Sequence, residues 1–329
     1  TATSSTSSLA GSSTVPGSTT TTTLYSSITP DTTFGGTGVV ISTTSSSVAN
    51  MVIIDSNNKV LVAGGVTGNT RVWRYDPGGS LDASFGIGGE LQINDGSGTG
   101  ATGIVLQPSG KLLVCTGNNI YLYDADGKTP DSTFAANKPN PAIGGKMTVD
   151  QSGRIIILSS TTFGNNYNLT RLLSNGSIDN TFGVSGVVAI SGGGNISING
   201  MTTDSSGNIY LTGSDYSYAH SNMDLMVWKY LVSGQPDNSF GAGGVVNFNG
   251  GDNIQGNNIS YPIDEFGSAI RINALGKILV SGASVSTDLN NNTTVWRFDQ
   301  DGSLDASFGA NNDGIARYTP TVSGSQAQG

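Results

Sequence analysis

Apolar positions in this chain come in short runs of four to six residues, each entered through a polar turn. Lys59-Val60-Leu61-Val62-Ala63-Gly64, Lys111-Leu112-Leu113-Val114 and Arg154-Ile155-Ile156-Ile157-Leu158 are three of them. Asn208-Ile209-Tyr210-Leu211-Thr212-Gly213 and Lys277-Ile278-Leu279-Val280-Ser281-Gly282 complete the series. Four of the five preceding turns end in glycine, at Gly110, Gly153, Gly207 and Gly276. Runs this short, bounded by glycine and by Asp, Asn or Ser, predict hairpin-connected strands rather than helices. A third segment follows each run: Arg71-Val72-Trp73-Arg74-Tyr75, Met226-Val227-Trp228-Lys229-Tyr230 and Thr294-Val295-Trp296-Arg297-Phe298. Period-two alternation sets Trp73, Trp228 and Trp296 on one face and the adjacent cations Arg74, Lys229 and Arg297 on the other. A fourth strand, as in Gly38-Val39-Val40-Ile41 or Gly244-Val245-Val246-Asn247-Phe248, opens each cycle, and the third copy lacks a clear version of it.

The cycle is punctuated by Asp-x-(Ser/Thr)-Phe. The aspartates are Asp31, Asp82, Asp131, Asp179, Asp237 and Asp305, and the phenylalanines Phe34, Phe85, Phe134, Phe182, Phe240 and Phe308. Successive intervals are 51, 49, 48, 58 and 68 residues. Glycine follows the phenylalanine everywhere except at Phe134, where Ala135 stands. Four strands in about fifty residues, repeated five times, predict an all-β chain folded as a β-propeller of five four-stranded blades. The predicted blades cover about 38–86, 87–135, 136–183, 184–241 and 242–309. Overhanging half-motifs at Asp31–Gly35 and Gly314–Tyr318 are expected to close the ring, one end completing a blade begun at the other. Residues 1–30 hold 19 serines and threonines and are expected to form an extended arm or tether, and 319–329 a tail.

Composition narrows the function. The 329 residues include 48 glycines but only 11% charged residues, and just two glutamates, which suits turns and strands and not helices. The net charge of −9 opposes nucleic-acid binding and attraction to an anionic membrane, and no apolar run reaches the roughly 18 residues of a membrane span. The single cysteine, Cys115, excludes an internal disulfide and reads as a buried strand thiol.

The corner Asp301-Gly302-Ser303-Leu304-Asp305-Ala306-Ser307-Phe308-Gly309, and its counterpart Asn175–Gly183, resemble the delta-60 repeat family of bacterial propeller-like proteins. The resemblance covers about residues 30–318. It implies a surface or secreted repeat protein without a shared catalytic motif.

Candidate chemistry is sparse. The repeated aspartate reads as a turn cap paired with the neighbouring cation, the phenylalanine as an anchor between blades, and the glycine as a tight corner. Asp124-Ala125-Asp126-Gly127 and Asp299-Gln300-Asp301-Gly302 look like fragments of a calcium loop, but neither has the distal glutamate, so turn chemistry is expected and no metal or cofactor. The only histidine, His220, lies in a polar loop. Longer loops in the last two blades carry Tyr216, Tyr218, His220, Tyr261 and Phe266, which are the expected contacts to a ligand or partner.

The expectation is a non-catalytic extracellular or cell-surface protein, a structural or adhesive component of a fibre or filament. Its partners would be other copies of itself, joined by strand addition of the arm, or surface glycans or proteins. A lectin-like binding module is the second reading and a secreted carbohydrate-active enzyme the third.

Overall fold

The structure is a computed structural model that describes residues 29–42, 46–94, 96, 100–117, 119–139, 145–161, 166–191, 195–217, 222–249, 254–256, 259–261, 264–285 and 291–318. Each blade is an antiparallel meander. The first contains β1 (Ser47–Ile54), β2 (Val60–Val66), β3 (Asn69–Tyr75) and β4 (Glu90–Ile93). The second contains β5 (Ala101–Leu106), β6 (Leu112–Thr116) and β7 (Ile120–Tyr123), followed by the single-turn helix α1 (Ser132–Asn137). The third contains β8 (Lys146–Val149), β9 (Ile155–Ser160), β10 (Asn166–Leu172) and β11 (Val187–Ser191). The fourth contains β12 (Ile196–Thr203), β13 (Ile209–Ser217), β14 (Asn222–Tyr230) and β15 (Val245–Phe248). A small hairpin of β16 (Ile254–Gly256) and β17 (Ile259–Tyr261) precedes the fifth, made of β18 (Glu265–Ile272), β19 (Ile278–Val285), β20 (Asn291–Phe298) and β21 (Ile315–Tyr318). The protein is an all-β propeller of five blades; among the described residues four blades have four strands and the second has three.

The sheets group the strands one step later than the repeat unit does. The strand that opens each sequence cycle pairs with the third strand of the blade before it, as β4 does with β3 and β15 with β14. Among the described residues the second blade has no fourth strand, and this is the strand without a clear version in the third sequence copy. The cause is local. Gly86, Gly183 and Gly241 turn the other corners at φ of 52°, 54° and 53°, a region an L side chain seldom adopts, and Ala135 occupies that position here. Lys138, at φ −63°, replaces the positive-φ glycines Gly89, Gly186 and Gly244, and Pro139 and Pro141 cannot donate to a ladder. The chain instead takes one helical turn, N-capped by Asp131.

The core is divided among the blade junctions. Leu61, Val72, Leu91 and Ile93 of the first blade meet Ala101, Leu112 and Val114 of the second. Leu113, Cys115 and Leu122 meet Ile155 and Ile157 of the third, which places the lone thiol in a dry core whose burial pushes its pKa up. Ile156 and Leu169 meet Leu211 and Trp228, and Tyr210 and Val227 meet Val280 and Trp296. No blade could bury both faces alone, so stacking supplies the stability.

Among the described residues the two ends do not share a blade, as ring closure by shared strands would require. β21 completes the fifth blade by pairing with β20, and no sheet among the described residues joins both ends. Strand packing runs from each blade to the next, without comparable packing of the fifth on the first among the described residues. Asp31–Gly35 instead docks on the first blade, with the Gly35 N–H donating to Gly78 O at 2.9 Å. The same bond joins the other corners to the turn of the following blade, from Gly86 to Asp126 O at 2.7 Å, Gly183 to Ser233 O at 2.9 Å and Gly241 to Asp301 O at 2.8 Å. Asp31–Gly35 therefore takes, on the first blade, the position that the corner of the preceding blade takes at the other junctions. The remainder of the expected arm, 1–28, and the tail 319–329 lie outside the described residues.

Candidate functional site

The repeated side chains come together as a clamp. The Asp82 Oδ1 accepts the Ser84 N–H at 3.0 Å and its hydroxyl at 2.6 Å, while Oδ2 takes Arg74 Nε at 2.7 Å and Lys59 Nζ at 2.6 Å. Asp179 holds Thr181 and Arg171, Asp237 holds Ser239 and Lys229, and Asp305 holds Ser307, Arg297 and Lys277 in the same way. The second blade has Leu122 where the others have a cation, and Lys111 alone pairs with Asp131, at 2.6 Å. Charge-assisted bonds favour the ionised carboxylate: Lys229 and Ser239 bring Asp237 down to about 2, and Asp82, Asp131, Asp179 and Asp305 are also lowered.

Beside each clamp lies its phenylalanine. Phe85, Phe134, Phe182 and Phe240 are at most 1% exposed. Their rings lie on the turn glycine of the next blade, where a Cβ at Gly127 would come within 2.5 Å of Phe85 and one at Gly234 within 2.9 Å of Phe182. Arg74 and Arg171 cover Phe85 and Phe182 at 4.6 and 4.5 Å from the ring centroids. Phe34 and Phe308, at the two ends of the blade series, are only half-buried. Trp228 and Trp296 face the preceding blade, and Trp73 faces Phe34 and Val40 across an apolar hollow of about 310 Å³. The predicted repeat residues thus build the fold.

Of the predicted contact residues, Tyr216 and Phe266 lie at one end of blades four and five. Tyr216 is half-buried near the end of β13, bonded through its backbone to Asn195. Phe266 is half-buried at the start of β18, in register with Ala283. Tyr218 and His220 lie outside the described residues, as does the side chain of Tyr261. The same end carries carboxylates that sequence spacing did not single out. Asp215 stands opposite Asp224 across β13 and β14, and burial together with the Asp224 charge raises its pKa. Asp264 Oδ1 accepts the Met223 N–H at 2.8 Å, tying blade five to blade four.

At the opposite end, the turns after the first strand of blades two to five enclose a cleft of about 710 Å³. Gln107, Asp150, Asp204 and Asn273 open those turns and line it. Asp150 Oδ1 caps its turn through Ser152 and Arg154 N–H, and Oδ2 takes Arg154 Nε at 2.6 Å. Asp204 likewise caps Ser206 and Asn208, and its Oδ2 accepts from Asn208 Nδ2 and the Tyr210 hydroxyl. Both carboxylates are therefore engaged by their own turns, and the rest of the wall offers amides and hydroxyls beside Leu106, Val149, Ile272 and the Lys229 side chain. The two calcium-like fragments are also turns: Asp126 Oδ1 accepts the Lys128 N–H and Asp301 Oδ1 the Ser303 N–H, both at 2.9 Å. Among the described residues no three His, Cys, Asp or Glu side chains converge as metal ligands, and no helix is long and apolar enough to cross a membrane.

Comparison with known proteins agrees with this architecture. No curated protein matches the chain. The chain of Kuenenia stuttgartiensis hydrazine synthase has a TM-score of 0.50 and 10% identity, over 85% of this chain and 68% of that one. A Bacteroides caccae protein of unknown function gives 0.43 and 11%, over 83% and 87%. The likeness to the hydrazine synthase chain concerns the fold alone. A domain-of-unknown-function (DUF5122) beta-propeller model matches residues 56–85, 151–182 and 276–308, and a beta-propeller repeat model matches 189–214. The chain is a β-propeller whose blades are similar to the repeats of those two propeller families.

Proposed function

We propose that this chain is a non-catalytic extracellular or cell-surface scaffold, a structural or adhesive component of a surface fibre or filament, with the N-terminal segment linking copies. The observation that carries this reading is the use of the repeated carboxylates. Every corner aspartate from Asp82 to Asp305 has one oxygen on its own turn or helix cap and the other on a cation, so the chain's most regular charged groups are taken up inside its own blades. The corner bonds at the first blade support the linking role, because a corner can dock on a turn whose own sheet it does not share. Sedimentation and electron microscopy of the full chain are expected to show oligomers that deletion of residues 1–23 abolishes. Unaltered oligomers after deletion, or a strict monomer at all concentrations, would overturn the reading.

The cleft supports a second reading, a lectin-like module. Its carboxylates are held by their own turns, and the amides and hydroxyls beside them, Gln107, Thr203, Asn208 and Asn273, suit a polyhydroxyl ligand. A glycan array is expected to give binding that fails when Gln107 and Asn273 are both changed to alanine; a silent array would sink it.

A further inference from the structure

Lys138 differs from the other lysines that are not fully exposed. Lys59, Lys111, Lys229 and Lys277 each reach a corner carboxylate. Lys138 pairs with no carboxylate among the described residues; its Nζ donates to Asn119 Oδ1 and, at 3.0 Å, to Ile120 O. Other groups converge on the same side-chain amide. The Ile120 N–H donates to Asn119 Oδ1 at 2.9 Å, and Asn119 Nδ2 donates to the Tyr121 hydroxyl at 3.1 Å. The Lys138 Nζ lies 4.8 Å from the Tyr121 ring centroid, and burial pulls the amine below the usual lysine value. A partly desolvated amine, an N–H on the carbonyl oxygen and a phenol on the amide nitrogen are the parts an acyl transfer needs.

We propose that Lys138 and Asn119 form an intramolecular isopeptide bond that staples the end of α1 to the start of β7 in the second blade. The neutral Lys138 Nζ attacks Asn119 Cγ, and the negative charge gathering on Oδ1 is held by the Ile120 N–H. As the Cγ–Nδ2 bond breaks, the Tyr121 phenol gives its proton to the departing nitrogen and regains one from Nζ. The products are the Nζ–Cγ amide and ammonia, with no oxidant or reductant. The site has a structural reason to exist. Among the described residues β7 has no outer strand such as its counterparts carry, and Asn119 and Lys138 cover its backbone groups at Ile120. A covalent bond there holds the corner that a fourth strand holds elsewhere.

Intact mass spectrometry of the folded full chain tests this. The expected mass is about 17 Da below that of the sequence, the loss of one ammonia. Trypsin is expected to release peptides 112–128 and 129–146 as one linked species. Lys138→Arg and Asn119→Ala restore the sequence mass and separate the peptides. In Tyr121→Phe, followed by time course after refolding, the linked form accumulates on the order of a hundredfold more slowly. Folded protein that keeps the full sequence mass after alkaline incubation overturns the proposal. So does a mass loss that survives Lys138→Arg, which would mark cyclisation at an Asn-Gly bond such as Asn175-Gly176. A Tyr121→Phe chain that links at the wild-type rate overturns the assigned proton donor.

Discussion

Blades two and three share a corner aspartate and a buried phenylalanine and part company at the next residue. After Phe182 comes Gly183, and the chain returns through Gly186 to pair β11 with β10. After Phe134 comes Ala135, and the chain winds into α1. Phe134 is nonetheless 1% exposed and lies on Gly176 as Phe182 lies on Gly234. The comparison separates two jobs that the motif performs. The aspartate and phenylalanine dock one blade on the next, and the glycines let the outer strand form.

If that separation holds, the anchor should be worth as much in blade two as in blade three. Phe134→Ala and Phe182→Ala are each expected to cost about 3–5 kcal/mol, as for other fully buried aromatics, and Phe308→Ala, half-exposed at the end of the series, far less. Denaturant unfolding of the three variants decides it; a cheap Phe134→Ala would mean that blade two is docked by something else.

The clamps should differ in the same experiment. Arg171 and Asp179 are both nearly buried, whereas Lys111 and Asp131 are partly exposed. Removing Asp179 leaves Arg171 unpaired in the interior, at a cost of about 3 kcal/mol, and Asp131→Ala is expected to cost about 1 kcal/mol. Acid titration of the wild-type chain adds a sign. Because the corner carboxyls are lowered on folding, the unfolded chain binds more protons between the ordinary carboxylate range and the folded pKa. Stability should be full above about pH 4 and fall as pH drops toward the Asp237 value of about 2. A midpoint near pH 6 in thermal melts would contradict the clamp.

A glycine exchange between the two corners bears on the outer strand, and its Ala135→Gly half carries the smallest effect. Gly183→Ala puts a Cβ within 2.3 Å of Val187 O at a φ of 54°, and about 1–3 kcal/mol of strain is expected. Ala135→Gly removes a helix former at a cost of about 0.5–1 kcal/mol and restores no strand, since Lys138 and Pro139 still block it. Gain of strand signal by circular dichroism in Ala135→Gly would break the comparison.

Much of the clamp was legible from residue order. Asp179 and Arg171 lie eight residues apart on either side of one turn, and alternation places the cation away from the tryptophan face. The second cation was not legible. Lys59 and Lys277 reach their aspartates from the start of another strand, 23 and 28 positions away, across a sheet whose register sequence spacing does not supply. The same holds for the cleft. Asp150 and Asp204 read as turn residues, which they are, and only the radial stacking of four blades makes their turns line one space. Lys138 gave no signal, because its partner Asn119 belongs to a hairpin on the far side of the corner.

By itself the chain determined its strands, its five-fold repeat, its corner chemistry and the repeat copy without a clear opening strand. These are local matters, settled by side-chain alternation, positive-φ glycines and prolines within a few residues of one another. Tertiary structure alone decided which strands share a sheet, where each phenylalanine docks and that Asp31–Gly35 fills the turn of the first blade. Those outcomes depend on groups some fifty residues apart meeting at a blade junction, where packing and not propensity chooses the partner.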